Sequence, residues 1–99
     1  MPSVILLPAL LIAAAHAPPA KPVRLGLCAP CHGESGIARS KGIPNLAGQD
    51  RDYLIAALRQ YRDGERSAAA MRAVAGPLSD ADIAALAEWF ASESRGAAP

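Results

Sequence analysis

The sequence predicts an all-α fold of three to four short helices, on three observations. Apolar residues recur at helical spacing in two stretches, 50–62 and 79–93. No stretch shows the alternating β-branched pattern of a strand. The chain is also too short, and too poor in large side chains, to build a generous core alone. It has 99 residues with one Trp, one Phe and two Tyr, and much of its 52% hydrophobic content is alanine, which buries little area. A domain of this order of size buries only about 60% of its unfolded surface and usually recruits a disulfide, a metal or another non-protein staple. One small domain is all the length allows, so a multidomain enzyme is excluded. A formal net charge of +1 lacks the basic footprint of a nucleic-acid binder.

Residues 1–17 read as a signal peptide. Val4 to Ala15 are almost continuously apolar, and Ala15-His16-Ala17 supplies the small residues of a peptidase site. Cleavage is expected after Ala15 or Ala17, with residues 18–99 forming the domain. The run falls short of the about 20 apolar residues that span a bilayer, so no stable membrane insertion is expected once it is removed. Export implies a periplasmic, oxidising compartment. Residues 16–22, with three prolines, read as an extended leader. Pro22 suits the first position of a helix, predicting a short helix over Val23 to Cys31.

Cys28-Ala29-Pro30-Cys31-His32 is the C-x-x-C-H pattern of covalent haem attachment. Thiols three residues apart lie on one side of a helical turn, where each can add to a porphyrin vinyl group. His32 then offers an imidazole nitrogen to the iron. A thioredoxin-like redox pair would need βαβ units. A zinc site would need a second pair of ligands, and the other histidine, His16, lies in the signal region. A plain disulfide across two residues is the remaining alternative.

The far side of a His-ligated iron is either open or closed by a second ligand. Beyond the initiator the methionine is Met71, in an Ala-rich stretch between two expected helices, and its thioether is soft and polarizable. Its competing role is to fill a gap in the core. Between the motif and the next helix, residues 33–48 carry Gly33, Gly36, Gly42, Pro44 and Gly48, the composition of a wrapped loop. A ligating histidine needs an acceptor for its other ring nitrogen, and the carbonyl of Pro44 is one candidate.

From Asp50 to Arg62, Leu54, Ala57, Leu58 and Tyr61 fall within an arc of about 100°, with the charged residues outside it. Gly64 ends that helix. The last helix starts at Ser79 as N-cap, with Asp82 completing an acidic variant of the capping box. Its inner stripe is Ile83, Leu86, Ala87 and Phe90, with Trp89 beside it and Glu88 and Glu93 facing away.

These landmarks together resemble the bacterial class I cytochromes c: Cys28 to His32, Pro44-Asn45-Leu46-Ala47-Gly48-Gln49 followed by Tyr53-Leu54, Met71, and Leu78-Ser79-Asp80 leading into Ile83 to Ala87. The chain is similar to one half of the periplasmic dihaem carriers, over essentially residues 22–93. The resemblance implies the small cytochrome c fold and one haem c per chain. It also implies covalent attachment through Cys28 and Cys31, axial ligation by His32 and Met71, and a histidine-holding carbonyl on Pro44. Where that family places an aromatic in its first helix this chain has Arg24, so packing of the terminal helices is expected to rely on Leu25, Gly26 and Leu27 against Trp89 and Phe90.

With both axial positions filled there is no open site for substrate, and no acid–base pair, nucleophile or phosphate loop lies elsewhere. The expected function is a one-electron carrier rather than an enzyme. Its expected partners are redox proteins: a periplasmic dehydrogenase, a membrane oxidoreductase or a terminal oxidase. Two rivals are a haem subunit permanently docked to a dehydrogenase, and a haem sensor or peroxidase-like enzyme in which Met71 is displaceable. Residues 18–78 carry nine basic and five acidic side chains and residues 79–99 one and four, which suggests a dipolar surface.

Overall fold

A computed structural model describes residues 2–8 and 17–96. The core of the expected signal segment, with its cleavage position after Ala15, lies outside the described residues. Val4 to Leu7 are exposed and take no part in the core.

The domain begins with three successive i→i+3 hydrogen bonds, from Leu25 N–H to the Pro22 carbonyl, Leu27 N–H to Arg24 and Cys28 N–H to Leu25. They form a 3-10 turn over Leu25–Leu27. A separate one-turn helix, α1, follows at Ala29–His32. The expected continuous helix from Val23 to Cys31 is therefore broken at Cys28, and Pro22 precedes the turn instead of opening a helix. Pro30 is the reason: it has no N–H to return and its ring would strike the carbonyl four residues back, whereas in the first turn of α1 it costs nothing.

The loop after α1 folds back on itself. The Gly36 carbonyl accepts from both Leu46 N–H (2.7 Å) and Ala47 N–H (3.1 Å), and Gly48 N–H reaches the Phe90 carbonyl at 2.9 Å. Helix α2, Arg51–Arg62, starts where Asp50 caps the Tyr53 N–H and carries Arg59 and Arg62 in its last turn, where cations suit the helix dipole. It buries Leu54 and Ala57, with Leu58 and Tyr61 packed at the edge of the core, the predicted face.

Helix α3, Ala69–Ala75, forms in the alanine-rich stretch between the two expected helices, so Met71 lies on a short helix of its own between α2 and α4. Helix α4, Asp80–Ser92, opens with the complete capping box: Asp82 N–H donates to Ser79 Oγ and Ser79 N–H to Asp82 Oδ2, each at 3.0 Å. Its buried stripe is Ile83, Leu86, Ala87 and Phe90, as predicted. Helix α2 packs on both α3 and α4. Among the described residues there is no strand.

At the N-terminal side, Leu25 alone of the expected trio joins the core with Leu86 and Phe90, while Leu27 and Gly26 are exposed. Arg24 pairs with Asp82 at 3.7 Å, and Trp89 Nε1 donates to the Glu34 carbonyl at 2.7 Å. A polar clasp thus holds the start of the domain to α4.

Candidate haem site

A cleft opens through the middle of the domain. Leu46, Leu54, Leu58 and Phe90 make it apolar, and Cys28, His32, Pro44 and Met71 line the same space. Four of the five residues singled out in the sequence are thereby brought together. The fifth, Cys31, lies on the α1 turn and is exposed.

The two thiols are not joined. Burial pushes the Cys28 thiol up to about 11, because a thiolate loses its hydration there. It stays protonated near neutral pH, unlike the low-pKa nucleophile of a disulfide oxidoreductase.

His32 is 7% exposed, and its Nδ1 lies 2.8 Å from the Pro44 carbonyl oxygen. A carbonyl only accepts, so Nδ1 carries the proton and Nε2 keeps its lone pair. This is the arrangement that orients an imidazole for a metal. The loop that presents Pro44 is itself fastened, since Asn45 Oδ1 accepts from Ala38 N–H at 2.8 Å. Asn45 was visible as part of a motif, but its structural task depends on a loop closure that spacing does not reveal. Met71, half-buried on α3, brings a thioether to the cleft.

Three further residues line the cleft: Gln49 and Tyr53, which the sequence showed only as parts of a motif with no role assigned, and Arg66, which the sequence reading did not single out. Tyr53 is 51% exposed although it borders an apolar space. Among the described residues no group of three or more His, Cys, Asp or Glu side chains comes together as a metal site would require. A locked imidazole, a thioether, two thiols one turn apart and an apolar slot fit a haem of the c type.

Comparison with known proteins points to the same cofactor. Residues 23–90 match the family model described as cytochrome c oxidase, cbb3-type, subunit III. The chain is 41% identical over 73 residues to cytochrome c-554(548) of Halomonas halodenitrificans, covering 71% of this chain and 88% of that protein. It is 36% identical over 70 residues to cytochrome c4 of Pseudomonas aeruginosa, covering 71% of this chain and 35% of the relative. It is also 40% identical over 72 residues to the thiosulfate dehydrogenase electron acceptor of Thiomonas intermedia, covering 72% of this chain and 33% of that one. The chain thus spans most of the first relative and about a third of the other two. With its C-x-x-C-H turn, its all-helical architecture and this match over most of its length, the chain belongs to the class I cytochromes c and is a haem c protein of the electron-carrier family.

Proposed function

We propose that this protein is a periplasmic one-electron carrier whose haem is held by thioethers at Cys28 and Cys31 and ligated by His32 and Met71. The observation that carries the proposal is that His32 and Met71, from α1 and α3, line one apolar cleft, with His32 already oriented by Pro44. When bound, the haem iron takes up and releases one electron. The chain's own work is to hold that iron in one environment. Cys28 and Cys31 anchor the ring, His32 Nε2 supplies a strong donor, and the Met71 sulfur favours the reduced state. The apolar walls keep water away, so that little has to reorganise when the charge changes.

Two filled axial positions leave no place for a substrate, which supports carrier over enzyme. The periplasmic assignment and the 1–17 signal segment rest on the apolar run before Ala15-His16-Ala17, and the exposed Val4 to Leu7 accord with a removable segment. Among the described residues no helix is long and apolar enough to cross a membrane. Relatives described as thiosulfate dehydrogenase electron acceptors support a periplasmic dehydrogenase as the electron donor.

Spectra of the purified oxidised and reduced protein, an alkaline pyridine assay for covalent haem, and carbon monoxide added to the ferrous form test the proposal together. The expected result is covalent haem, a low-spin six-coordinate spectrum and no rapid binding of carbon monoxide at neutral pH. Rapid, tight binding would favour the sensor or peroxidase-like reading and refute closed ligation. The mass of the exported protein reads the cleavage site.

A further inference from the structure

The 3-10 turn at Leu25–Leu27 leaves part of α4 without an apolar cover, since Leu25 enters the core while Gly26 and Leu27 are exposed. Trp89 packs at the edge of that core and is only half-buried. Its ring borders a second groove, away from the haem cleft, which it shares with Glu88 and Glu93 of α4 and with Ala17, Pro18 and Pro19 of the leader. The leader is fastened beside this groove by its far end. Pro22 is buried, its carbonyl accepts from Leu25 N–H at 3.1 Å, and the Lys21 ammonium pairs with the Glu34 carboxylate at 2.5 Å. Glu34 thus ties both sides together: its side chain holds the leader, and its carbonyl accepts from Trp89 Nε1–H at 2.7 Å. Within the leader Pro19 is half-buried, whereas Pro18 and Ala20 are exposed.

Two successive prolines hold the backbone near the polyproline conformation, which needs no hydrogen-bonded neighbour and loses little freedom when it docks. Grooves lined by aromatic rings are the surfaces that receive such segments. We infer that Pro18-Pro19 is a polyproline-type strap that closes on the Trp89 ring and supplies the cover that the first turn does not. This goes beyond the electron-carrier reading and does not depend on it. On the signal-segment reading, cleavage after Ala15 or Ala17 leaves an ammonium within two residues of Pro18. That charge arises beside Glu88, which Arg51 engages, and Glu93, which has no basic partner among the described residues, so the acidic side of the groove favours closure. Closed, the strap shields the Trp89–Glu34 hydrogen bond and with it the chain two residues beyond His32.

The test is nuclear magnetic resonance of the exported ferrous holoprotein, with its mass giving the first residue. The expected result is a set of nuclear Overhauser contacts from the Pro19 ring protons to the Trp89 indole, and slow exchange of the indole N–H. Pro18→Ser with Pro19→Ser removes the contacts and speeds indole exchange by about tenfold, as the loss of a half-buried apolar contact should. The Leu54 amide in α2 then exchanges as in the wild type. Val23→Ser, at an exposed position outside the groove, changes neither. Absence of the Pro19–Trp89 contacts in the wild type overturns the strap, as does equal acceleration of Trp89 and Leu54 in the double variant. Should that variant fail to fold, the wild-type contacts alone decide. A mass that retains residues 1–15 overturns the signal-segment reading, and a protein without covalent haem overturns the carrier reading; in either case the same contacts, read on the protein as purified, decide the strap.

Discussion

His32 has its tautomer chosen by the protein before any metal is considered. The Pro44 carbonyl accepts a hydrogen bond from Nδ1–H at 2.8 Å, which leaves Nε2 with its lone pair free for a metal and fixes the plane of the ring. Met71 is held less firmly, half-buried on a helix of under two turns. On the proposed ligation, Met71→Ala leaves the iron with one protein ligand, so the ferrous variant binds carbon monoxide and its potential falls, both read by spectroelectrochemistry. Gly33, immediately after the histidine, has φ 80° and ψ 150°, a region essentially reserved for glycine. A Cβ there would also stand 2.2 Å from the Ile37 carbonyl oxygen. Gly33→Ala should therefore cost about 1–3 kcal/mol from the backbone alone, seen as a lower denaturant midpoint with an unchanged m-value. The attachment residues were legible because their chemistry is written in five consecutive positions. Arg66 was not, since its place in the cleft follows from the reversal at Gly64 and the Gln60 carbonyl that catches the returning chain.

Helices α2 and α4 could be read from periodicity because each is long enough to repeat its apolar stripe and each begins with a side-chain cap. Helix α3 offered neither signal: it is seven residues long, Ala68 provides no side-chain cap, and its composition is mostly alanine. The one clue was propensity, since alanine is the strongest helix former, and packing against α2 supplies the remainder. The break before α1 was missed for the opposite reason: an apolar run suggested continuity, and the missing N–H of Pro30 overrode it. The start of α4 lends itself to measurement. Ser79→Ala removes the Asp82 N–H acceptor and should cost about 1 kcal/mol. Asp82 is held below the ordinary aspartate value chiefly by the Ser79 backbone N–H, and Asp80 chiefly by its hydrogen bond to Arg62. A depressed folded-state value means the contribution is fully present above the ordinary value of about 3.9 and is lost as pH falls through the folded value. Acid unfolding below about pH 4 should therefore be less steep in Asp82→Asn and Asp80→Asn than in the wild type. Added salt should weaken the exposed Asp80 pair more than the cap.

The charge division suggested by the sequence is largely cancelled by folding. Asp80 meets Arg59 and Arg62, Asp82 meets Arg24, and Glu88 meets Arg51, so the acidic final segment is neutralised by basic side chains from the first. What those surface pairs add to stability is small, and the burden returns to a modest core. Its largest fully buried side chains are Leu25, Ile83 and Leu86, while Ala47, Ala57, Ala75 and Ala87 make up much of the rest. Leu46, Leu58, Tyr61 and Met71 remain half-buried because they face the cleft rather than one another. Filling that space with an apolar macrocycle would bury them at about 25 cal/mol per Å², and covalent attachment would keep the filler in place when the chain opens. The staple that so short a sequence calls for is then the haem itself. Replacing both anchors, Cys28→Ala with Cys31→Ala, should therefore yield a chain that retains no haem after denaturing extraction. Lacking its central filler, it should show reduced helicity and no cooperative thermal transition by circular dichroism. Removing a buried thiol and an exposed one costs at most a few kcal/mol directly, so a loss of cooperativity would report the missing cofactor. A haem-free double variant that melts in a single sharp transition with full helicity would show that α2, α3 and α4 close on one another unaided.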